Sequence, residues 1–219
     1  TDGDEDQQED PLSKRIRASE VRKFTKYTNS QLLEYARQIF KSPGFQWMST
    51  EQGICVELAA SGTEAVICVL PTGRGKSLVF MLLCLLEEAR TTVVVVPLIS
   101  LRSDMMRRFK DLKIQAQIWE KGQYPTSKVV VVSAEAACTT EFITYCQTLI
   151  SSQRLDRIVV DECHLTLTQS GYRRSMSKLG CIRTLHTRFV YLTATLPPAI
   201  EPDFRRQNFL RAAKIVRAS

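Results

Sequence analysis

Residues Ala65 to Ser77 read AVICVLPTGRGKS, and this stretch decides the fold. The apolar run Ala65 to Leu70 does not alternate in polarity, the pattern of a strand buried on both faces of a parallel sheet. Pro71, Thr72 and Gly73 then break the chain, and a helical segment opens near Lys76. A strand, a glycine-rich turn and a helix in that order gather backbone N–H groups and a helix N-terminus around one point, a cradle for an anion. Gly73 and Gly75 permit the dihedrals and the close approach that a side chain would block. Lys76 would reach the β- and γ-phosphates of a nucleotide, and the Ser77 hydroxyl would ligate Mg²⁺. Pro71, Thr72, Gly73, Arg74, Gly75, Lys76 and Ser77 are therefore candidate phosphate-binding residues. The longer form of the motif asks for glycine at position 70, where this chain has Leu70, but the core Gly73 to Ser77 is intact.

Moving outward from this turn, five further apolar runs rich in Val and Ile are predicted strands. They are Thr92 to Pro97, Ile114 to Trp119, Lys128 to Ser133, Arg157 to Asp161 and Phe189 to Thr193. Helical spacing lies between them over Lys76 to Arg90, Leu101 to Leu112 and Glu141 to Ser152. Another helix is predicted over Ser30 to Phe40, with Ser30 as its N-cap, before Ser42-Pro43-Gly44 breaks the chain. The alternation predicts an α/β fold, a mostly parallel sheet with helices on both faces. In such sheets ligands gather at the carboxyl ends of strands.

The 219 residues suit one large α/β domain with an appendage. The apolar runs are far shorter than the roughly 20 residues that span a bilayer. Seven scattered cysteines without a CxxC pair suggest a reducing compartment and no zinc cluster, and only His164 and His186 could add imidazole ligands. Residues 1–10 hold six acids and no Lys or Arg, so adding them back to the net charge of +7 leaves +13 on residues 11–219. The acidic start reads as a disordered tail. The basic remainder attracts polyanions by releasing condensed counterions, which makes nucleic acid the leading partner on charge, with a merely solvated basic surface as the alternative.

Two more strand ends carry chemistry. Asp161-Glu162-Cys163-His164 places adjacent carboxylates at the end of a buried strand, 85 residues after Lys76. Asp161 would hold Mg²⁺, and Glu162 would orient and deprotonate an attacking water. His164 would sense the nucleotide or contact a partner loop, while Cys163 reads as a small buried residue. Thr193-Ala194-Thr195 closes another strand 32 residues beyond Asp161 and precedes Leu196-Pro197-Pro198. Each of these strings is common alone; their order gives them force.

The series Pro71 to Ser77, Pro97-Leu-Ile-Ser-Leu-Arg-Ser-Asp104, Asp161 to His164 and Thr193 to Thr195 resembles motifs I, Ia, II and III of superfamily 2 helicases. It is most similar to RecQ-type DNA helicases, and among them to fungal telomere-linked RecQ-like proteins. The resemblance covers about residues 40 to 219. It implies a RecA-like P-loop NTPase lobe that binds ATP and Mg²⁺ as part of a 3′-to-5′ DNA helicase in the nucleus. The implied lobe occupies residues 29–212, after a tail at 1–28, and residues 213–219 would lead to a second RecA-like lobe supplying an arginine finger. Without that lobe, turnover and unwinding by this segment are expected to be nearly absent. The resemblance also implies that Gln52 reads the adenine edge, that Thr193, Ala194 and Thr195 link nucleotide state to the strand, and that Ser100 and Arg102 meet nucleic-acid phosphates. Tyr172 and Arg173 stand where the family keeps an aromatic-rich coupling loop, although this chain has one aromatic there. The family's Phe-Arg pair before the glutamine is also missing; Met48-Ser49-Thr50-Glu51 stands in its place. The spelling Asp-Glu-Cys-His keeps a DExH RNA helicase as an alternative, and the thin coupling loop keeps a non-catalytic nucleic-acid-binding remnant as another.

Overall fold

The computed structural model describes residues 24–73, 75–97, 99–167 and 174–218. Two helices come first, α1 (Asn29–Ile39) and α2 (Thr50–Ala60), followed by β1 (Ala65–Val69), α3 (Gly75–Cys84), β2 (Thr91–Val96) and α4 (Ile99–Asp111). Strands β3 (Ala116–Ile118) and β4 (Val129–Ser133) lead into α5 (Ala134–Ala137) and α6 (Thr140–Ser151). Then come β5 (Leu155–Val160), a 3₁₀ turn over Cys163–Leu167, α7 (Arg174–Ser177), a second 3₁₀ turn over Leu179–Thr184, β6 (Phe189–Thr193), α8 (Glu201–Gln207) and β7 (Lys214–Arg217).

The strands form one sheet in the order β3-β4-β2-β5-β6-β1-β7, and every neighbouring pair is parallel. This is the fold expected from the apolar runs. The side chains of β2 divide between two cores: Val93 and Val95 join Phe142, Tyr145, Ile158 and Phe204 on one face, while Val94 and Val96 join Val56, Phe80, Leu82 and Phe109 on the other. A strand buried on both sides cannot alternate with polar residues, which is why the runs read as continuous. Burying a Val or Leu side chain contributes about 1.5–3 kcal/mol, so the central strands anchor the fold.

Several boundaries differ from the sequence expectation. The N-cap of α1 is Thr28, not Ser30: the Thr28 hydroxyl accepts from the Gln31 amide and the Gln31 side chain accepts from the Thr28 amide. This reciprocal capping satisfies two amide donors at once, and Ser30 has no glutamine three residues on. The third helix stops at Cys84 rather than Arg90. Leu85 turns back to Leu82, and Arg90 is held by Asp156 and the Gln153 carbonyl, which lines the chain up for β2. The predicted strand from Ile114 shortens because Lys113 has φ 56° and the Ile114 amide closes the end of α4 onto the Phe109 carbonyl. Residues 214–217, expected to lead to a second lobe, pair with β1 as the edge strand β7. The acidic tail lies outside the described residues. Among the described residues, no helix is long and apolar enough to cross a membrane.

Candidate functional site

Strands β1, β2, β5 and β6 all end at one edge of the sheet, so the segments following them meet there. Beyond β1, Gly73 has φ 122°, and a Cβ placed on it would meet nothing within 4 Å, so the turn is open on its outer side. Helix α3 starts at Gly75 and directs its N-terminal amides toward this turn.

Lys76 is buried, and its Nζ donates to Glu162 Oε1 at 2.7 Å. Glu162 reaches back from the end of β5 because its backbone is left-handed, φ 48°. That conformation costs a non-glycine residue about 1 kcal/mol or more and is held only where surroundings enforce it. Here the Glu162 amide donates to Asp161 Oδ1 at 2.9 Å, and the Asp161 amide donates to the Val95 carbonyl at 3.1 Å. Burial pushes the Asp161 carboxyl above its usual range; the Lys76 charge pulls it back, and Glu162 adds to the rise.

His164, on the 3₁₀ turn, lies 3.5 Å from Glu162 Oε2 through Nδ1, and the same Nδ1 is 2.9 Å from Thr193 Oγ1. Thr193 is fully buried at the end of β6, and its hydroxyl accepts from the Thr195 amide while bonding the Thr195 carbonyl. A continuous polar chain therefore runs Lys76, Glu162, His164, Thr193, Thr195. Ala194 is half-buried between the two threonines.

Gln52 is 1% exposed, not a surface residue of its helix. Its amide accepts from the Met48 N–H at 2.7 Å through Oε1 and donates to the Gly75 carbonyl at 3.0 Å through Nε2. It braces the start of α2, capped by Ser49, against the start of α3. Pro71 and Thr72 are exposed on the same rim.

A cavity of 220 Å³ joins Thr72, Gly73, Lys76 and Ser77 to Asp161 and Glu162, and α4 closes its side with Asp104 and Arg108. Larger clefts of 380, 330 and 470 Å³ are also present: the first around Arg183 and Phe209, the second around Lys121 and Tyr124, and the third between Phe40 and Arg107, adjoining the site through Ser77, Asp104 and Arg108. None of them holds the Lys76 ammonium or the Asp161 and Glu162 carboxylates gathered at the strand ends, so chemistry rather than volume locates the site. Asp104 entered the sequence reading only as the last residue of the Pro97 to Asp104 string, and Arg108 was not singled out. Arg108 Nη1 donates to Ser77 Oγ at 3.0 Å, and Arg108 Nε lies 3.1 Å from Asp104 Oδ2. The available signal was their spacing of four on a predicted helix that follows β2.

Arg102 is half-buried on the first turn of α4. The side chain of Ser100, and all of Arg74, Tyr172 and Arg173, lie outside the described residues.

The DEAD/DEAH box helicase family matches residues 49–202, which include every strand end described above. Among curated proteins, the chain is 32% identical over 161 residues to the mouse protein named ATP-dependent DNA helicase Q5, covering 65% of this chain and 16% of that protein. It is 28% identical over 194 residues to ATP-dependent DNA helicase RecQ of Bacillus subtilis, covering 79% and 31%. It is 28% identical over 236 residues to the ATP-dependent helicase SGS1 of Saccharomyces cerevisiae, covering 92% and 16%. The chain thus spans about a sixth to a third of the length of these relatives. Among solved structures, the helicase MrfA bound to DNA aligns with a TM-score of 0.64 at 16% identity, over 90% of this chain and 31% of that one. Dbp5 of S. cerevisiae bound to RNA and ADP BeF3 aligns with a TM-score of 0.62 at 17% identity, over 89% and 52%. These likenesses establish the same RecA-like lobe. With the motif-bearing strand ends inside the matched residues, the chain belongs to the DEAD/DEAH box helicase family.

Proposed function

We propose that this chain is the ATP-binding lobe of a RecQ-like 3′-to-5′ DNA helicase, in which nucleotide hydrolysis drives movement along a single strand and unwinding of a duplex. The observation that carries the reading is the Lys76–Glu162 pair across an open glycine turn, with Asp161 and Ser77 on the same cavity. The named DNA helicases among the sequence relatives support DNA over RNA. The likeness to Dbp5, at 17% identity, bears on the fold alone and lends the RNA alternative no weight. An intact Lys76, Asp161 and Glu162 set on one cavity argues against a decayed remnant.

The residues present fit a magnesium nucleotide. At 220 Å³ the cavity is smaller than the roughly 300–1,000 Å³ of whole-ligand pockets, which suits a triphosphate tail with the base lying outside. Asp161 and Ser77 offer the hard oxygen donors that Mg²⁺ prefers, and the ion would neutralise phosphate charge when bound. Lys76 would exchange Glu162 for phosphate oxygens, with the amides from Gly73 to Ser77 around them. Glu162, released, would accept the proton of the attacking water. Gln52 would set the rim of the base site through its hold on Gly75. His164 and Thr193 would carry the position of Glu162 to Thr195. Ser100, Arg102, Tyr172 and Arg173 would contact the strand, chiefly through its phosphates.

We assign the lobe to residues 29–212 together with β7, and its remaining partners to a second RecA-like lobe and a nuclear location. An arginine finger accelerates phosphoryl transfer by about 10³–10⁵ in other systems, so the lone lobe would bind nucleotide and turn over very slowly. The test is phosphate release by the full-length protein with single-stranded DNA or RNA of one sequence at one salt concentration. Stimulation by DNA well above RNA is expected; the reverse order would select the RNA reading, and absence of stimulation by either would overturn both.

A further inference from the structure

Gln52 and Met48 stand side by side at the N-terminus of α3: a Cβ built on Gly75 would meet Gln52 Nε2 and Met48 Sδ, each at 3.5 Å. Only one of them is open to a ligand. Met48 is 72% exposed, whereas Gln52 is 1% exposed. A carboxamide reads adenine by accepting from the N6 amino group while donating to N7. In this chain both ends of the Gln52 amide are already engaged by backbone, Oε1 by the Met48 N–H and Nε2 by the Gly75 carbonyl. These partners also fix which end is oxygen and which is nitrogen. The amide keeps a second N–H and a second lone pair, but burial leaves no surface on which a base could reach them. The backbone around it is held as well: Ser49 Oγ accepts from the Gln52 N–H at 3.1 Å, and Trp47 Nε1 donates to Asn29 Oδ1 at 2.9 Å. The 220 Å³ phosphate cavity is lined from Thr72 onward, without Gln52.

Building on the nucleotide reading above, we propose that this site takes nucleoside triphosphates without selecting the base. Lys76, Ser77 and the turn amides hold the phosphates, Met48 packs against whichever base follows them, and Gln52 is a positioning residue. A thioether side chain has no directional hydrogen bond to impose and makes favourable contacts with any aromatic ring, purine or pyrimidine. Its sulfur overhangs the first residue of the helix whose amides face the phosphates. Gln52, tied to the Gly75 carbonyl, keeps that helix start in register with α2, so its contribution falls on the phosphate turn and is shared by every nucleotide.

The test is competition on the full-length protein with Mg²⁺ at one salt concentration, in which unlabelled ATP, GTP, CTP, UTP and inorganic tripolyphosphate each displace a ribose-labelled fluorescent ATP analogue. The four nucleotides are expected to act with inhibition constants within about fivefold of one another, the lower edge of the discrimination that a carboxamide reading adenine gives. A preference for ATP beyond that would overturn the proposal while leaving the nucleotide cavity intact. Binding of none of the four would overturn the nucleotide reading and the proposal together.

Two variants separate the roles. Met48→Ala, a change at an exposed side chain, should weaken all four nucleotides alike by about twofold to tenfold and leave tripolyphosphate unchanged. Gln52→Glu, which keeps an acceptor for the Met48 N–H and removes the donor to Gly75, should weaken the four nucleotides and tripolyphosphate by a common factor. A loss confined to ATP in Gln52→Glu would mean that Gln52 reads the base. An unchanged nucleotide series, or an equal loss for tripolyphosphate, in Met48→Ala would remove Met48 from the base. Either result overturns the proposal, and if Gln52→Glu fails to fold, the series on the unmutated protein decides alone.

Discussion

Lys76 and Glu162, 86 residues apart in sequence, are joined by a 2.7 Å ion pair that crosses the cavity between the glycine turn and the end of β5. The ammonium that would meet phosphate and the carboxylate that would meet water hold each other in place until a ligand separates them. Glu162→Gln should therefore keep nucleotide affinity within a few-fold, because the amide oxygen still accepts from Lys76. Hydrolysis by the full-length protein should fall by about 10²–10⁴, the contribution of a positioned general base. A titration and a phosphate-release assay on the same preparation check both halves, and hydrolysis that survives the change would remove Glu162 from this role.

Asp161 gives a prediction with a pH sign. Its folded-state pKa is raised, chiefly by burial, so the ionised carboxylate is a cost to folding at neutral pH. Stability attached to this group is fully present below the ordinary aspartate pKa of about 3.9 and is lost as pH rises through the higher folded value. Asp161→Asn should thus raise the melting temperature at pH 7, and the gain should disappear toward pH 3 to 4. The same change should abolish Mg²⁺-dependent nucleotide binding. Calorimetry across pH decides it, and a variant less stable at pH 7 than at pH 4, relative to the parent, contradicts the assignment.

Arg108 holds the Ser77 hydroxyl and is itself held by Asp104. A guanidinium beside the oxygen that would ligate Mg²⁺ repels that cation, and at 42% side-chain exposure solvent screens most of the repulsion. Arg108→Ala should lower the Mg²⁺ concentration needed for half-maximal nucleotide binding by about threefold to tenfold. A Mg²⁺ titration at fixed fluorescent nucleotide reads this directly; a higher requirement would mean that Arg108 contacts phosphate instead.

Tyr191 is 1% exposed, and its hydroxyl has no hydrogen-bond partner among the described residues. Its ring packs edge-on against Phe204 and stacks on Phe189. A buried hydroxyl without a partner costs about 1–3 kcal/mol, so Tyr191→Phe should leave the fold equally stable or stabilise it by about 1 kcal/mol. Chemical denaturation measures the difference, and a loss above 1 kcal/mol would reveal a partner for the hydroxyl.

The sheet was legible because buried parallel strands need uninterrupted apolar residues, and Val93 to Val96 or Val129 to Val132 can hardly be read otherwise. The phosphate turn and the acidic strand end were legible for a related reason, since both must sit at carboxyl ends of such strands. Arg108 was not, because its partner Ser77 is 31 residues away and meets it only when α4 folds back over α3. The buried position of Gln52 was likewise hidden: its bond to the Gly75 carbonyl depends on how α2 packs against α3. The Thr28 cap shows a local signal misread by two residues, because the reciprocal bond with Gln31 outweighs the serine nearer the apolar pattern.

The central claim is a working nucleotide cavity built on Lys76. The most direct measurement is titration of a fluorescent ATP analogue with Mg²⁺ into the parent chain and into Lys76→Ala, with Glu162→Gln as the control that also loses the 2.7 Å ion pair. The expected result is binding by the parent and by Glu162→Gln, and at least about tenfold weaker binding by Lys76→Ala, equivalent to about 1.4 kcal/mol or more. Equal affinity in the parent and Lys76→Ala would contradict the account.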